Sequence, residues 1–245
     1  MNSGSYNNFL ERFTEFKNDP TNDEDMAERE ENYLLAQDLI DTPEKIRKLT
    51  EKDMFYLLTL FHSGGVERNE GKIAGDMSRF RMYLERALEI SSDTTPAAYE
   101  RAKDLLDSPD VDVSGAGINV RTEIFHTYDP VRFPVLNRNF EKGLLFFHFI
   151  ESEFSGNKGE RYYRCIKIVE EIRQQFSIPN CRELDWFFNY IYWENKRKTS
   201  PEEYRAYHQK KLQKKRDSKS KALKVKPETL QVFEMEYFSL KNLSF

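Results

Sequence analysis

Apolar side chains along this chain recur at intervals of three and four residues, segment after segment, and no alternating β-branched runs stand out. A repeat near 3.6 residues puts those side chains on one face of a helix, so the chain is predicted to be all-α. Phe9, Leu10, Phe13 and Phe16 mark a helix over 5–17, broken by Asp19-Pro20-Thr21-Asn22. A second helix is predicted from about residue 23 to 40, with acidic side chains in its first turn, where the helix dipole favours them. Thr42-Pro43 reads as an N-cap followed by proline at the first helical position. Thr50 and Asp53 are spaced close to a capping box ahead of Phe55, Leu57, Leu58, Leu60 and Phe61. Residues 64–75 hold four of the ten glycines and read as a loop. Further helices are predicted over 77–90, 96–106, 118–125, 140–150, 162–176 and 182–193.

At 245 residues the chain can bury a sizeable core, as one large domain or as two lobes. Hydrophobic residues make up 38% and charged residues 33%, which suits a soluble protein. No stretch approaches the roughly 18 apolar residues that span a bilayer, and Met1-Asn2-Ser3-Gly4-Ser5 has no secretory pattern. A cytoplasmic protein with no membrane partner is expected. Cys165 and Cys181 make neither a disulfide framework nor a four-ligand metal site. His62, His126, His148 and His208 share no metal-ligand spacing, so neither metal nor cofactor is expected.

The net charge of −4 conceals an asymmetry: residues 1–60 hold 14 acidic and 7 basic side chains, residues 196–226 hold 3 and 13. Lys210, Lys211, Lys214, Lys215 and Arg216 concentrate that charge on a segment with almost no apolar stripe. It reads as a solvated helix or a disordered basic arm, in either case suited to a polyanion. Residues 227–245 regain apolar character and are expected to dock back as a strand or a helix.

The chemistry of the chain points to Ser114-Gly115-Ala116-Gly117, which lies between two helical segments. Gly115 and Gly117 let the backbone turn tightly and approach another chain closely. A helix starting at Ile118 presents unpaired N–H groups, a setting suited to phosphate. Asn119 and Arg121, in its first turns, are candidates for the same contact. An extended Phe133-Pro134-Val135-Leu136 follows, and Asn137 opens the next helix.

The order helix, Gly-Ala-Gly hairpin (about residues 96–127), helix, short extended segment, polar residue, helix resembles the helix-hairpin-helix DNA glycosylase superfamily, with endonuclease III-like and 8-oxoguanine-glycosylase-like folds. The resemblance covers about residues 95–193 and is most distinctive over 98–143. It implies an all-α, two-lobed fold that bends duplex DNA and flips one nucleotide into a cleft between lobes. It divides the chain into N-terminal helices (1–62), a hairpin-containing core (71–195), a basic helix or arm (196–226) and a C-terminal segment (227–245).

It also implies a catalytic Asp twenty residues beyond the second hairpin glycine, where this chain has Asn137. The lyase Lys of the family corresponds to Asn119. An amide forms no Schiff base, so strand cleavage through Asn119 is not expected. An amide also lacks the full charge that stabilises a developing sugar cation. Asn137 therefore has three readings: a substituted copy that binds without cutting, a water-positioning group for an easily leaving base, or an N-cap only. Asp129 and Glu141 are the neighbouring carboxylates able to substitute for it, although Asp129 before Pro130 also reads as a turn residue. Glu141 and Glu123 also read as solvated. Tyr128, Phe147 and Trp186 are candidates to line a base pocket, against a plain core role.

Three functions follow from this reading. One is a monofunctional DNA glycosylase removing a damaged or modified base, in repair or in defence against phages. A second is a catalytically inactive reader of modified or distorted DNA. A third is a helical scaffold with a basic partner-binding tail.

Overall fold

The computed structural model describes residues 3–62 and 71–197, together with Lys210 and Asp217. Among these residues there is helix and no strand, an all-α architecture. The helices are α1 (Ser3–Asn18), α2 (Pro20–Ile40), α3 (Pro43–Lys48), α4 (Glu51–Leu60), a single turn α5 (71–74), α6 (Met77–Ser92), α7 (Ala97–Asp107), α8 (Ile118–Tyr128), α9 (Arg138–Phe146), α10 (Lys158–Phe176) and α11 (Cys181–Arg197). A 3-10 turn at Pro109–Val111 lies between α7 and α8. None of these helices is long and apolar enough to cross a membrane.

Local chemistry accounts for most helix starts. The Thr42 hydroxyl accepts from Lys45 N at 3.3 Å with Pro43 in the first turn. Thr50 and Asp53 form a reciprocal capping box. Asn157 accepts from Glu160 N at 2.9 Å and starts α10 four residues ahead of its apolar stripe. Proline at Pro20 both ends α1 and opens α2, because it lacks an N–H but has a helical φ.

The expected boundaries shift where tertiary contacts decide them. The helix predicted over 140–150 ends at Phe146, because the chain turns left-handed at His148 (φ 57°). Phe147 and Phe149 then reach the core from outside a helix. Part of the expected 64–75 loop is helical at 71–74. The segment 133–137 is extended but pairs with no strand. The solvated helix or basic arm expected at 196–226 and the docking of 227–245 fall almost wholly outside the described residues.

One hydrophobic cluster runs from Phe9 to Ile191 and joins the N-terminal helices to the rest. Phe9 is its focus in α1: its ring lies 5.1 Å from Phe147, 4.3 Å from Phe176 and 5.4 Å from Phe187. These offset and edge-on arrangements contribute beyond simple area burial. Helix α10 packs along α7, and α11 along α9. The first of these pairs depends on Gly159, whose N–H donates to Asp107 Oδ1 at 2.9 Å. A Cβ on Gly159 would run into the Lys103 carbonyl and the Asp107 carboxylate.

Replacement of Gly159 by alanine is therefore expected to push α10 off α7 and to cost about 1–3 kcal/mol, as overpacking does. The loss reads out as a lower thermal midpoint; an unchanged midpoint would show that α7 and α10 separate freely.

Candidate functional site

The turn between α7 and α8 is rigid from below. Gly115 has φ 91°, a left-handed conformation that favours glycine. Ala116 and Val113 are buried beneath it, and Ala116 N donates to Val113 O at 3.1 Å. Gly117 is exposed at the N-cap of α8, where no side chain caps the helix.

Arg121 does not reach a phosphate. It is fully buried, with Nη1 donating to Leu106 O at 3.2 Å and Nη2 to Val111 O at 2.7 Å and Asp112 Oδ1 at 2.8 Å. Its cation lies 5.2 Å from the Tyr83 ring, and Tyr83 Oη donates to the Arg121 carbonyl at 3.0 Å. Arg121 thus ties α8 to the end of α7 and to the 3-10 turn. It occupies carbonyls that a terminating helix leaves unpaired.

The extended segment is pinned to α8 and to α10. Leu136 N donates to Thr122 Oγ1 at 3.0 Å, Tyr162 Oη to Pro134 O at 3.0 Å, and His126 Nδ1 to Phe133 O at 2.8 Å. These bonds deliver Asn137 to the start of α9. Its Oδ1 accepts from Phe140 N at 2.9 Å, so Asn137 is an N-cap. Its amide has a second role: Nδ2 donates to Asp185 Oδ1 at 3.2 Å.

Asn137 and Asn119 meet in one polar cleft of about 160 Å³. Helix α2 contributes Arg29, and His62 comes from two residues beyond the end of α4. Asn119 comes from α8. The start of α9 adds Asn137, Arg138 and Asn139, and one face of α11 adds Asp185, Trp186 and Asn189. Arg29 Nη2 pairs with Asp185 Oδ2 at 2.6 Å, and the guanidinium stacks 4.6 Å from the Trp186 ring. Asn139 Nδ2 donates to Asn189 Oδ1 at 2.6 Å. Arg138 is exposed at the rim.

Behind the cleft lies a buried polar layer. Glu123 is fully buried, accepting from Tyr33 Oη at 3.3 Å and from His62 N. Burial, reinforced by Glu123, pushes the Tyr33 hydroxyl well above its usual pKa. Burial opposes the Arg29 cation, but Asp185, Tyr33 and Glu123 outweigh it and its pKa is raised. Burial lowers His126 to about 3, helped by the Arg182 cation. Perturbed groups beside a cleft are a recognised mark of functional sites, although structural networks produce them too.

Several expected site residues lie elsewhere. Asp129 is a turn residue: Oδ1 accepts from Val131 N at 3.0 Å and Arg132 N at 3.1 Å, and Oδ2 pairs with Arg132 at 2.5 Å. Glu141 is buried, not solvated, and accepts from Phe154 N at 2.5 Å. Glu123 is likewise buried, not solvated. Neither Asp129 nor Glu141 lines the cleft. Tyr128 donates to Leu84 O at 3.3 Å, and Phe147 stacks in the phenylalanine core, so neither faces a base pocket there. Trp186 does line the cleft. Lys210 is exposed in a helix; Lys211, Lys214, Lys215 and Arg216 lie outside the described residues.

Arg29, His62, Asn139, Asp185 and Asn189 escape a linear reading. The available signal was Asp185 and Asn189, polar residues four apart within the apolar run Leu184 to Tyr192, which share a helix face. Among the described residues, no group of three or more His, Cys, Asp or Glu is arranged to hold a metal ion. Comparison with known protein families, with curated proteins and with solved structures finds no match.

Two outcomes follow from this geometry. His126 has a folded pKa near 3 against an unfolded value of 6.5, so below 6.5 the unfolded chain takes up a proton that the folded chain does not. Its contribution to stability is complete above 6.5 and is lost as pH falls towards 3, at about 1.4 kcal/mol per pH unit. Denaturant titrations across that range should give a shallower acid slope for His126→Asn, which retains a donor for Phe133 O; equal slopes would remove His126 from the account.

Asn137→Asp should keep the cap, since Asp caps as well as Asn, but set a second carboxylate against Asp185. One of the two pKa values then rises. The variant's melting temperature should fall below wild type at neutral pH, with the gap closing in acid. A gap independent of pH would mean that residues 137 and 185 do not interact.

Proposed function

We propose that this chain adopts a helix-hairpin-helix glycosylase-like arrangement, binds duplex DNA, and hydrolyses the N-glycosidic bond of a nucleotide flipped into the Asn119–Asn137 cleft. The observation that carries the reading is the convergence of those two positions, eighteen residues apart in sequence, on one cleft that also holds a buried carboxylate. Asn119 and Asn137 occupy the places of the lyase amine and the catalytic acid in the family that the hairpin resembles. Asp185 supplies the charge that Asn137 lacks.

In this mechanism the carbon–nitrogen bond breaks with its electron pair passing to the base. Positive charge grows on the sugar, and the Asp185 carboxylate stabilises it. Water adds to the sugar carbon; Asp185 accepts its proton, which passes on to the departed base. Asn137 positions Asp185 through its amide. Asn119 cannot form a Schiff base, so the product is an abasic site in an uncut strand. The amides of Asn119, Asn139 and Asn189 offer donors and acceptors to a base edge. The uncapped N-terminus of α8 at Gly117 suits a backbone phosphate, as does the positive charge of Lys210 and the basic segment around it.

A second reading is a reader that flips and binds a base without cutting. It is favoured by the engagement of both Asp185 oxygens, one by Asn137 and one by Arg29.

Incubation with duplexes carrying damaged bases, and with phage DNA containing modified cytosines, tests both. Free base and alkali-labile sites are expected. Asp185→Asn should lower base release by roughly 10²–10⁴ while salt-dependent DNA binding persists, measured below the variant's melting temperature. Salt-dependent binding without base release, by wild type and variant alike, would select the reader; wild-type release by Asp185→Asn would remove the carboxylate from the mechanism.

A further inference from the structure

Arg29 is placed more strangely than an ion-pair partner requires. Its side chain is about nine-tenths buried and stacks over Trp186, yet only Nη2 has a hydrogen bond; Nε and Nη1 have no partner among the described residues. A guanidinium is donor-only and always charged. Both nitrogens are closed to solvent, so an acceptor reaches them only as the side chain shifts towards the cleft; leaving them unused costs free energy that such an acceptor recovers. Arg138 adds a second positive charge at the rim, against the single carboxylate of Asp185 in the lining. The aromatic face that could attract a cationic base is already covered by a cation.

We infer that the cleft selects neutral or acidic nucleobases that depart as anions, with Arg29 donating to the acceptor beside the breaking bond, and that it rejects cationic alkylated bases. This rests on the base-binding reading above and adds the substrate class. When a neutral base leaves, negative charge develops on it, and a fixed donor there stabilises the transition state more than the ground state. The base then takes up a proton originating from the attacking water. When a cationic base leaves, it departs neutral. No negative charge develops, so Arg29 contributes nothing to that step and repels the bound substrate.

The test uses the full chain and its tryptophan fluorescence, since Trp186 is one of only two tryptophans. The probes are orotate (acidic), uracil (neutral) and 1-methyladenosine (a cation at neutral pH). Orotate and uracil are expected to bind, and 1-methyladenosine to bind about 10- to 100-fold more weakly, the range a charge-assisted hydrogen bond supports. Arg29→Met should erase the preference and Arg29→Lys should keep part of it; Trp186→Phe should abolish the signal. Arg29→Lys also covers the case in which Arg29→Met, with Asp185 left unpaired, fails to fold. Equal or tighter binding of 1-methyladenosine overturns the inference. So does a preference that survives both substitutions, or no binding of any probe. Base release from damaged duplexes is scored separately, so abasic sites formed on alkylated DNA would retain the glycosylase and discard the selectivity.

Discussion

The ion pair of Arg29 and Asp185 joins α2 to α11 across 156 residues of chain, and the cleft takes its shape from it. Removing two charges from water costs several kcal/mol for each ion, and attraction at 2.6 Å repays this only when the remaining polar atoms are also satisfied. Asp185 meets that condition, with Asn137 on its other oxygen. Arg29 does not meet it fully. A well-packed apolar pair would serve stability as well or better. Its presence is therefore easier to explain by what it holds in place: a carboxylate of fixed orientation at the start of α9 and a cation of fixed orientation on Trp186.

Arg121 plays the corresponding part for the turn between α7 and α8. Its three hydrogen bonds gather the end of α7, the 3-10 turn and Asp112, while Lys158 reaches the same Asp112 oxygen from α10 at 2.8 Å. The turn that exposes Gly117 is thus held by a side chain beneath it, and no side chain of its own closes the N-terminus of α8. Support from below and a helix start with no side-chain cap above suit an anion contact, because the ordering is complete before a ligand arrives. Of the two arginines, one fixes the turn and the other the cleft wall.

Much of the helical order was legible beforehand because its causes are local. Thr42-Pro43 and the Thr50–Asp53 box place helix starts by hydrogen bonds within four residues. Asn137 was legible both as a cap and as a residue of interest, and it is both a cap and part of the cleft. Arg121 was misplaced because a charged residue one turn into a helix ordinarily faces water; its burial depends on carbonyls at 106 and 111 whose direction no local pattern gives. Glu141 and Glu123 were misplaced for the same reason, their partners being Phe154 N, Tyr33 Oη and His62 N.

The amino-acid sequence by itself determined the helical class, the positions of most helices and the Gly-Ala-Gly turn, since periodicity, caps and glycine conformation act over a few residues. It also made Asn119 and Asn137 residues of interest, through the resemblance that the hairpin carries. Only the tertiary structure decided that Asp185, and not Asp129 or Glu141, stands beside Asn137, and that Arg29 faces it from the far end of the chain. A buried charge is tolerated only where the packed fold supplies its counter-charge. Partners of that kind come from distant helices, so their identity is settled when α2, α9 and α11 pack together.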